Sequence, residues 1–369
     1  MARTTNSFSF FMVIWTGQLL SRVGNGISAF SLGVYLFQKT GSTTAYSMLL
    51  LCAFLPSILL APIGGVIADK KDRKLMMIIG DTGGCLGILL ITLMFLYDSQ
   101  NYGFIYLGII ISSLFGALHS PDFKAAITDL LDEKEYSKAS GLVQLAEASR
   151  YLLAPVIAGF LMSRIDIATI LVIDMITFIS AVVTTYFIKL ITRQPTSEIN
   201  FLGFWKEFIQ GVEYIAGNKK IFQLLLLLSI VTFFTGILQS LFAPVILSFG
   251  NAQTLGIIQS ISGTGMVISS LLIGFLSKTD KQRKPLFFSL LTISLFYILI
   301  GTSTSIVLIT IYTFCLFSCL PFVNTSLDVL FRKTIDNEVQ GRIWSVISLS
   351  SQLGMLMAYA ISGFLAEKI

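Results

Sequence analysis

Long apolar runs recur along nearly the whole chain and restrict its fold more than any other feature. The chain has 369 residues, of which 54% are hydrophobic, and its mean hydropathy is +0.83. A run of about 20 apolar residues crosses the hydrocarbon core of a bilayer, where the backbone must satisfy its own hydrogen bonds. The runs are rich in Gly and Ser and lack the alternation of barrel strands. The sequence therefore predicts an all-α membrane protein.

Eleven runs are long enough to form membrane-spanning helices. They cover residues 9–37, 43–68, 75–97, 102–129, 137–163, 166–191, 220–249, 252–277, 285–303, 305–331 and 338–366. The first run carries Gln18, Arg22 and Asn25 and has no small-residue cleavage site. It is therefore interpreted as a true span and not as a signal peptide.

Basic residues between the runs indicate the orientation of the chain. With the N-terminus in the cytoplasm, most basic residues fall on the cytoplasmic side, and Lys39, Arg164 and Lys368 lie on the other. This distribution obeys the positive-inside rule. It also accounts for the net charge of +5, which does not indicate nucleic-acid binding. We expect a multi-pass protein of the cell (inner) membrane with a cytoplasmic N-terminus.

The two halves of the chain resemble each other. The charged stretch 64–74 lies between two apolar runs and returns as 274–284, at an offset of 210 residues. Two residues around a later loop return at an offset of 200: Pro121 as Pro321, and Gly141 as Gly341. Landmarks that repeat in the same order predict two similar helix bundles.

The longest polar connection separates these halves. In it, Phe204, Phe208, Val212 and Ile215 recur at helical spacing, which predicts an interfacial amphipathic helix. We therefore predict an N-terminal six-helix bundle over 1–191, a cytoplasmic linker over 192–219 and a C-terminal bundle over 220–369 with five spans.

The pattern Gly65-x-x-x-Asp69-Lys70-x-Asp72-Arg73-Lys74 resembles the signature of the major facilitator superfamily, G-x-x-x-D-R-x-G-R-R/K. Other stretches are similar to the drug:proton antiporter branch that contains macrolide efflux and enterobactin export proteins: Gly17-Gln18-Leu19-Leu20-Ser21, Thr40-Gly41-Ser42, Gly80-Asp81, His119-Ser120-Pro121, Gly341-Arg342 and Gly363–Ile369. The resemblance implies two pseudo-symmetric six-helix bundles. Because family members have twelve spans, we expect the twelfth helix to be missing from this chain.

The same resemblance implies a cytoplasmic gate formed by Gly65, Asp69, Arg73, Lys74 and Arg342. Asp69 ends the second span, and Arg342 lies near the N-terminus of the eleventh, where a carboxylate is stabilised. A contact between them would hold the cytoplasmic side closed. The alternative for the lysines of this stretch is topological anchoring alone.

Charged residues inside the spans are costly and therefore indicate function. At 1.5 Å per residue, Arg22 and Glu147 lie about 20 Å and about 15 Å from the cytoplasmic ends of their spans. Arg150 lies one turn beyond Glu147 on the same helical face. Glu147 is thus either part of a structural ion pair or a proton-linked carboxylate with Arg22 or Arg150 beside it.

Asp81 and Asp174 are the other acidic candidates, and each suits either proton carriage or an interhelical hydrogen bond. Asp328 lies near the cytoplasmic end of the tenth span, where a structural role is favoured. Antiporter relatives often carry an acid in the first span, where this chain has Asn25. Proton coupling through that position is therefore not available, which leaves Glu147, Asp81 or Asp174.

Other residues are candidates for helix geometry and solute contact. The stretch 154–159 resembles the antiporter signature GPxxGG, with Pro155 and Gly159 retained, and its proline predicts a bend. His119 precedes Pro121 and is interpreted as a helix-end hydrogen-bonding residue, with a proton site as the alternative. Asn324 is a candidate contact for a bulky solute, together with Phe234, Gln239, Phe242 and Phe322.

No cofactor or metal site is predicted, because His119 is the one histidine and Cys52, Cys85, Cys315 and Cys319 lie in apolar runs. No nucleophile, base and orienting group recur together, so an enzyme is disfavoured. The resemblance implies a secondary transporter, proton-driven, that exports amphipathic small molecules such as drugs, macrolides or siderophores. The alternatives are an importer or symporter, or a non-transporting membrane partner. The expected partners are a small-molecule substrate, protons and the lipid bilayer, and we expect a monomer.

Overall fold

The computed structural model describes residues 7–70, 72–98, 101–131, 133–187, 201–276, 283–336 and 339–366, which are almost entirely helical. The helices are α1 (Ser7–Thr40), α2 (Thr43–Lys70), α3 (Arg73–Leu96), α4 (Gly103–Leu130), α5 (Glu133–Leu152), α6 (Ala154–Met162), α7 (Ile167–Phe187), α8 (Phe201–Gly217), α9 (Lys219–Phe249), α10 (Ala252–Leu276), α11 (Arg283–Thr302), α12 (Ile306–Thr334) and α13 (Gln340–Ala366). The predicted all-α fold is confirmed.

Each predicted span coincides with a helix whose ends lie within four residues of the prediction, α5 and α6 together forming one span. Taken as one broken helix, α5 and α6 bring the described ranges to twelve helices. The expectation of a missing helix is therefore wrong as a helix count. The additional helix is α8, which lies in the linker and was predicted there as an amphipathic helix.

Nine helices in the described part of the chain are long and apolar enough to cross a membrane. The start of α4, Gly103–Ala117, is a shorter apolar segment. Such helices make the chain a multi-pass membrane protein.

Side-chain caps and one glycine mark helix ends in the described ranges. Asp72 caps α3, since its carboxylate accepts hydrogen bonds from the backbone N–H groups of Lys74 and Leu75, and Asn218 caps α9 in the same way. α1 ends at Gly41, whose φ of 63° lies in the left-handed region that glycine adopts without strain.

The chain divides into two compact units, and the first comprises Met1–Ile199 with Gly363–Ile369. In this unit α4 packs against α2 and α3, and α1 packs against α5, α6 and α7. α3 and α4 approach each other closely at Gly87, where an added Cβ atom would lie 2.7 Å from the backbone nitrogen of Ser112. A buried cluster that includes Leu32, Ile91 and Leu171 fills the space between these helices.

The second unit comprises Asn200–Ser362. Here α12 packs against α10 and α11, which is the arrangement that α4 has with α2 and α3 in the first unit. The predicted internal repeat is thus reproduced in the internal packing of each unit. α8 is held in this unit by two polar contacts: the Tyr214 hydroxyl donates to the Asp336 carboxylate at 2.7 Å, and Arg342 donates to the Gln210 side chain at 3.0 Å.

Candidate functional site

Arg22 and Glu147 form an ion pair between α1 and α5, through the Nη1 and Oε1 atoms. The side chain of Arg22 is 19% exposed and that of Glu147 is 41% exposed. The carboxylate is therefore the more accessible partner and the guanidinium the more enclosed one. Removing either partner would leave an uncompensated charge within the helix bundle, which is costly.

Of the two arginines considered as partners of Glu147, the structure pairs Arg22. Arg150 packs along α1, where its Cγ atom would lie 3.0 Å from a Cβ atom added at Gly26. The helical spacing of Glu147 and Arg150 suggested a pair within α5. The contact between helices is made instead, because α1 approaches α5 closely enough for Arg22 to reach the carboxylate.

Asp81 lies on α3 and is only 5% exposed. Its Oδ2 atom accepts a hydrogen bond of 2.9 Å from the side-chain amide of Gln18 on α1. The Nε2 atom of His119 on α4 is 3.6 Å from the same oxygen. Of the two expectations for Asp81, the interhelical hydrogen bond is thus present in the structure.

Phe123 lies between these two sets of polar side chains. Its ring is stacked with that of His119, at 6.0 Å between centroids and 21° between planes. The Arg22 guanidinium carbon is 6.0 Å from the centroid of the same Phe123 ring, a distance at which cation–π attraction begins. We define the first-unit polar cluster as Gln18, Arg22, Asp81, His119 and Glu147.

Asp174 lies on α7 and is 1% exposed. Its Oδ1 atom accepts a hydrogen bond of 3.3 Å from Thr177 and would lie 2.8 Å from a Cβ atom at Gly24 of α1. Its Oδ2 atom has no hydrogen-bond partner among the described residues. Asp174 is thus enclosed where α1 and α7 meet.

The gate residues are described only in part. Gly65 and Asp69 lie in α2 and Arg73 begins α3, but the side chains of these residues are outside the described set. The Lys74 ammonium donates a hydrogen bond of 2.5 Å to the backbone carbonyl of Tyr186. This carbonyl lies near the C-terminal end of α7, where the helix dipole stabilises a cation. Arg342 is bonded to Gln210, as described above.

The other candidates lie in different surroundings. Asp328 pairs with Arg332 one turn along α12 at 2.9 Å, and both side chains are well exposed. Asn25 is half-buried and Asn324 is exposed. Phe242 is 7% exposed and belongs to the core. The Gln239 side chain accepts a hydrogen bond of 2.7 Å from the Tyr359 hydroxyl.

α5 and α6 are separated at Leu153, two residues before Pro155, where the sequence predicts a bend. Proline has no N–H group, so the α-helical hydrogen bond to the carbonyl four residues earlier cannot form. Pro155 and Gly159 are both buried, on the side of α6 that packs toward the rest of its unit.

Sequence reasoning missed Gln18 and His119 as partners of Asp81. The repeat carried a relevant signal, because the equivalent of His119 at an offset of 200 residues is Cys319. The first half thus has a polar residue where the second half has a residue type common in apolar cores. Such a difference indicates a role that the fold shared by the two halves does not require.

Proteins similar to this chain include macrolide exporters. Macrolide efflux protein A of Streptococcus pyogenes is 28% identical over 97% of this chain and 90% of its own length. Multidrug resistance protein MdtG of Salmonella paratyphi C is 25% identical over 84% of this chain and 76% of its own length.

Solved transporter structures share the fold. A bacterial homologue of the iron transporter ferroportin, in an inward-facing state, has a TM-score of 0.76 at 15% identity and covers 96% of this chain and 91% of its own. The nucleoside transporter NupG has the same TM-score and identity, over 97% of this chain and 91% of its own.

The family model of the Major Facilitator Superfamily matches residues 14–366. This match runs from within α1 to the end of α13, and it agrees with the all-α fold and with the internal repeat. The chain belongs to the major facilitator superfamily of membrane transporters.

Proposed function

We propose that the chain is a proton-coupled exporter of amphipathic small molecules of the macrolide type, which works by alternating access. The observation that carries the proposal is the ion pair of Arg22 and Glu147 within the first unit. The names of the macrolide and multidrug relatives support the solute class. The siderophore class is kept as a further solute to be tested.

The ion pair links protonation to conformation. While Glu147 is ionised, its charge and that of Arg22 neutralise each other between α1 and α5. A proton on the Glu147 carboxylate removes the negative charge and leaves Arg22 to find another partner or water, since an unpaired buried charge is costly. A proton therefore stabilises a different arrangement of these helices, and such a difference is what a transport cycle requires.

The 41% exposure of the Glu147 side chain also suits exchange with solvent. A proton donor or a cationic solute can approach a carboxylate of this accessibility without unfolding the bundle. By contrast, Asp81 and Asp174 are almost fully enclosed. Glu147 is therefore the first choice for the carboxylate that exchanges a proton with the medium.

We further propose that Asp69 and Arg342 contribute to a cytoplasmic gate. The support is the sequence signature around Asp69 and the position of Arg342 in the first turn of α13. The cytoplasmic N-terminus and the monomeric state are likewise proposals. Maleimide labelling of single cysteines placed near residue 3, in intact cells and in inverted vesicles, tests the orientation.

The test of the function is solute uptake into inverted membrane vesicles under an imposed pH gradient. The panel contains a macrolide, a lipophilic dye and a siderophore. Uptake that depends on the gradient supports export in the cell. Solute movement in the opposite direction would favour the importer or symporter, and no movement of any solute would favour a non-transporting membrane partner.

A further inference from the structure

His119 is enclosed among polar groups that the ion pair does not use. Its side chain is 9% exposed, and it is the one histidine of the chain. Its Nε2 atom is buried and has no hydrogen-bond partner among the described residues. A buried imidazole nitrogen without a partner is unusual, because such groups are normally bonded.

The position of His119 is set by close helix packing. A Cβ atom at Gly80 of α3 would lie 2.7 Å from the His119 Cβ atom and 3.2 Å from the Phe115 carbonyl oxygen. The glycine therefore lets α3 and α4 approach until Asp81, the next residue of α3, lies beside the imidazole. The distance of 3.6 Å from Nε2 to the Asp81 Oδ2 atom is slightly too long for a hydrogen bond.

A proton is the ligand that fits this gap. With a proton on Nε2 and a negative charge on Asp81, a small movement would form a charge-assisted hydrogen bond. Gln18 already donates to the same Oδ2 atom at 2.9 Å, so the carboxylate stays oriented whether or not the imidazole bonds to it. No metal is implied by one histidine, one carboxylate and one amide.

Among the side chains that the structure describes, the charged groups that face His119 come from three helices. They are Asp81 on α3 and, through the Phe123 ring, Arg22 on α1 with its partner Glu147 on α5. α2 also packs against α4, and its charged residues are Asp69 and Lys70, whose side chains are outside the described set. The balance of charge at His119 thus depends on whether Arg22 is paired with Glu147.

We propose that His119 and Asp81 together form a second proton-binding site of the transport cycle, distinct from Glu147. This inference rests on the proposed proton-coupled function. In the transfer step the proton leaves Nε2 of His119, the N–H bond breaks, and an O–H bond forms on Oδ2 of Asp81. An imidazolium and a carboxylate become a neutral imidazole and a neutral carboxylic acid, so the charge of the pair is unchanged.

The connection to Glu147 follows from Arg22. Protonation of Glu147 frees the guanidinium, which lies over the same Phe123 ring that stacks on His119. A freed cation beside the His119–Asp81 pair favours release of the proton held there, because two positive charges repel. The two sites are therefore expected to hold their protons in alternation.

The single histidine makes a direct test possible. The full chain is produced with ¹⁵N-labelled histidine and purified in lipid nanodiscs by an affinity tag without histidine, so one imidazole contributes to the spectrum. We expect its two nitrogen signals to change over a pH series, because a bound proton converts the acceptor nitrogen of the imidazole into a donor. In Asp81→Asn the midpoint is expected to move to lower pH, since the carboxylate that stabilises the imidazolium is gone.

Two further variants make the test specific. Glu147→Gln should retain a titrating imidazole, which shows that the two sites are distinct, and Asp166→Asn, outside the cluster, should leave the titration unchanged. Signals that do not respond to pH, or a midpoint that Asp81→Asn does not move, would overturn the proposal. These readouts do not require transport, so they separate this inference from the proposed function.

Transport provides the second readout. His119→Gln should abolish gradient-driven uptake into inverted vesicles while solute counterflow, which needs no net proton movement, persists. Gradient-driven uptake at the unsubstituted rate in His119→Gln would contradict the second site. If the unsubstituted chain moves no solute at all, the proposed function fails, and the spectra still report whether the histidine binds a proton beside Asp81.

Discussion

The guanidinium of Arg22 on α1 contacts the carboxylate of Glu147 on α5 across 125 positions of sequence. The pair lies in the first unit and connects the helix that opens the chain with the helix that breaks at Pro155. Its asymmetry of exposure, 19% against 41%, makes Glu147 the more accessible partner. The proposed coupling depends on this relationship.

The pair should behave as one unit in stability measurements. Arg22→Gln and Glu147→Gln each leave one charge without its partner, whereas the double variant removes both charges. The sum of the losses in unfolding free energy in the two single variants should exceed the loss in the double variant by on the order of 1 kcal/mol. Thermal unfolding of the four proteins in detergent, at neutral pH, measures this coupling; strictly additive effects would show that the ion pair contributes nothing to the fold.

The close approach of α3 and α4 predicts a steric effect at Gly87. A methyl group there would meet the backbone of Gly108 and Ser112, which cannot move aside as a side chain can. Gly87→Ala should lower stability by about 1–3 kcal/mol. Gly116→Ala is the matched control on α4, because a Cβ atom there meets nothing within 4 Å. Equal melting temperatures for the two variants would argue against tight packing of α3 on α4 at Gly87.

Asp166 predicts a pH dependence outside the membrane-spanning segments. Hydrogen bonds from the side chain and the backbone N–H of Thr169, at 2.7 and 3.0 Å, hold the pKa of the Asp166 carboxyl below its ordinary value. Because the pKa of Asp166 is lowered in the folded state, its carboxylate stabilises the fold fully above the ordinary pKa of about 4. This stabilisation is lost as the pH falls through the lowered value.

Asp166 precedes α7 and caps it through these hydrogen bonds. Removal of its side chain should therefore lower stability at neutral pH and not in strong acid. Asp166→Ala is expected to cost about 1 kcal/mol at pH 7, and Asp166→Asn, which retains an acceptor oxygen, should cost less. Melting temperatures measured from pH 7 downward test the sign. A difference between Asp166→Ala and the unsubstituted chain that grows in acid would be the wrong sign.

Asp69 and Asp72 are close in sequence, so one can serve as the control for the other in a test of the proposed gate. Asp72 caps α3, and Asn is as good a cap as Asp, so Asp72→Asn should leave transport and stability nearly unchanged. Asp69→Asn should reduce the rate of solute uptake while the melting temperature stays the same. Initial rates of uptake in vesicles with matched amounts of each variant measure this, and unchanged uptake in Asp69→Asn would remove Asp69 from the gate.

The helices were predictable because a bilayer imposes a minimum apolar length on each of them. Pro155 also marked the break between α5 and α6, since proline lacks the N–H that the helix needs there. The twelfth helix of the described ranges is α8, the amphipathic helix that the sequence predicts in the linker and not as a span.

The polar cluster was only partly predictable. Arg22, Asp81 and Glu147 could each be predicted, because a charged residue inside a span is costly. Gln18 and His119 join them through contacts between α1, α3 and α4. Partners so far apart in sequence depend on helix rotation and on the close approach that Gly80 allows. Helical spacing also favoured Arg150 beside Glu147, and only the crossing of α1 and α5 shows that Arg22 is the partner.

Proton movement driven by solute tests the central claim most directly. Proteoliposomes that contain the chain and an enclosed pH-sensitive dye are given a macrolide, with the unsubstituted chain and Glu147→Gln compared at equal protein content. Solute should drive protons across the membrane in the unsubstituted chain, and Glu147→Gln should abolish this flux. Solute-driven proton flux of the same size in both proteins would contradict this claim.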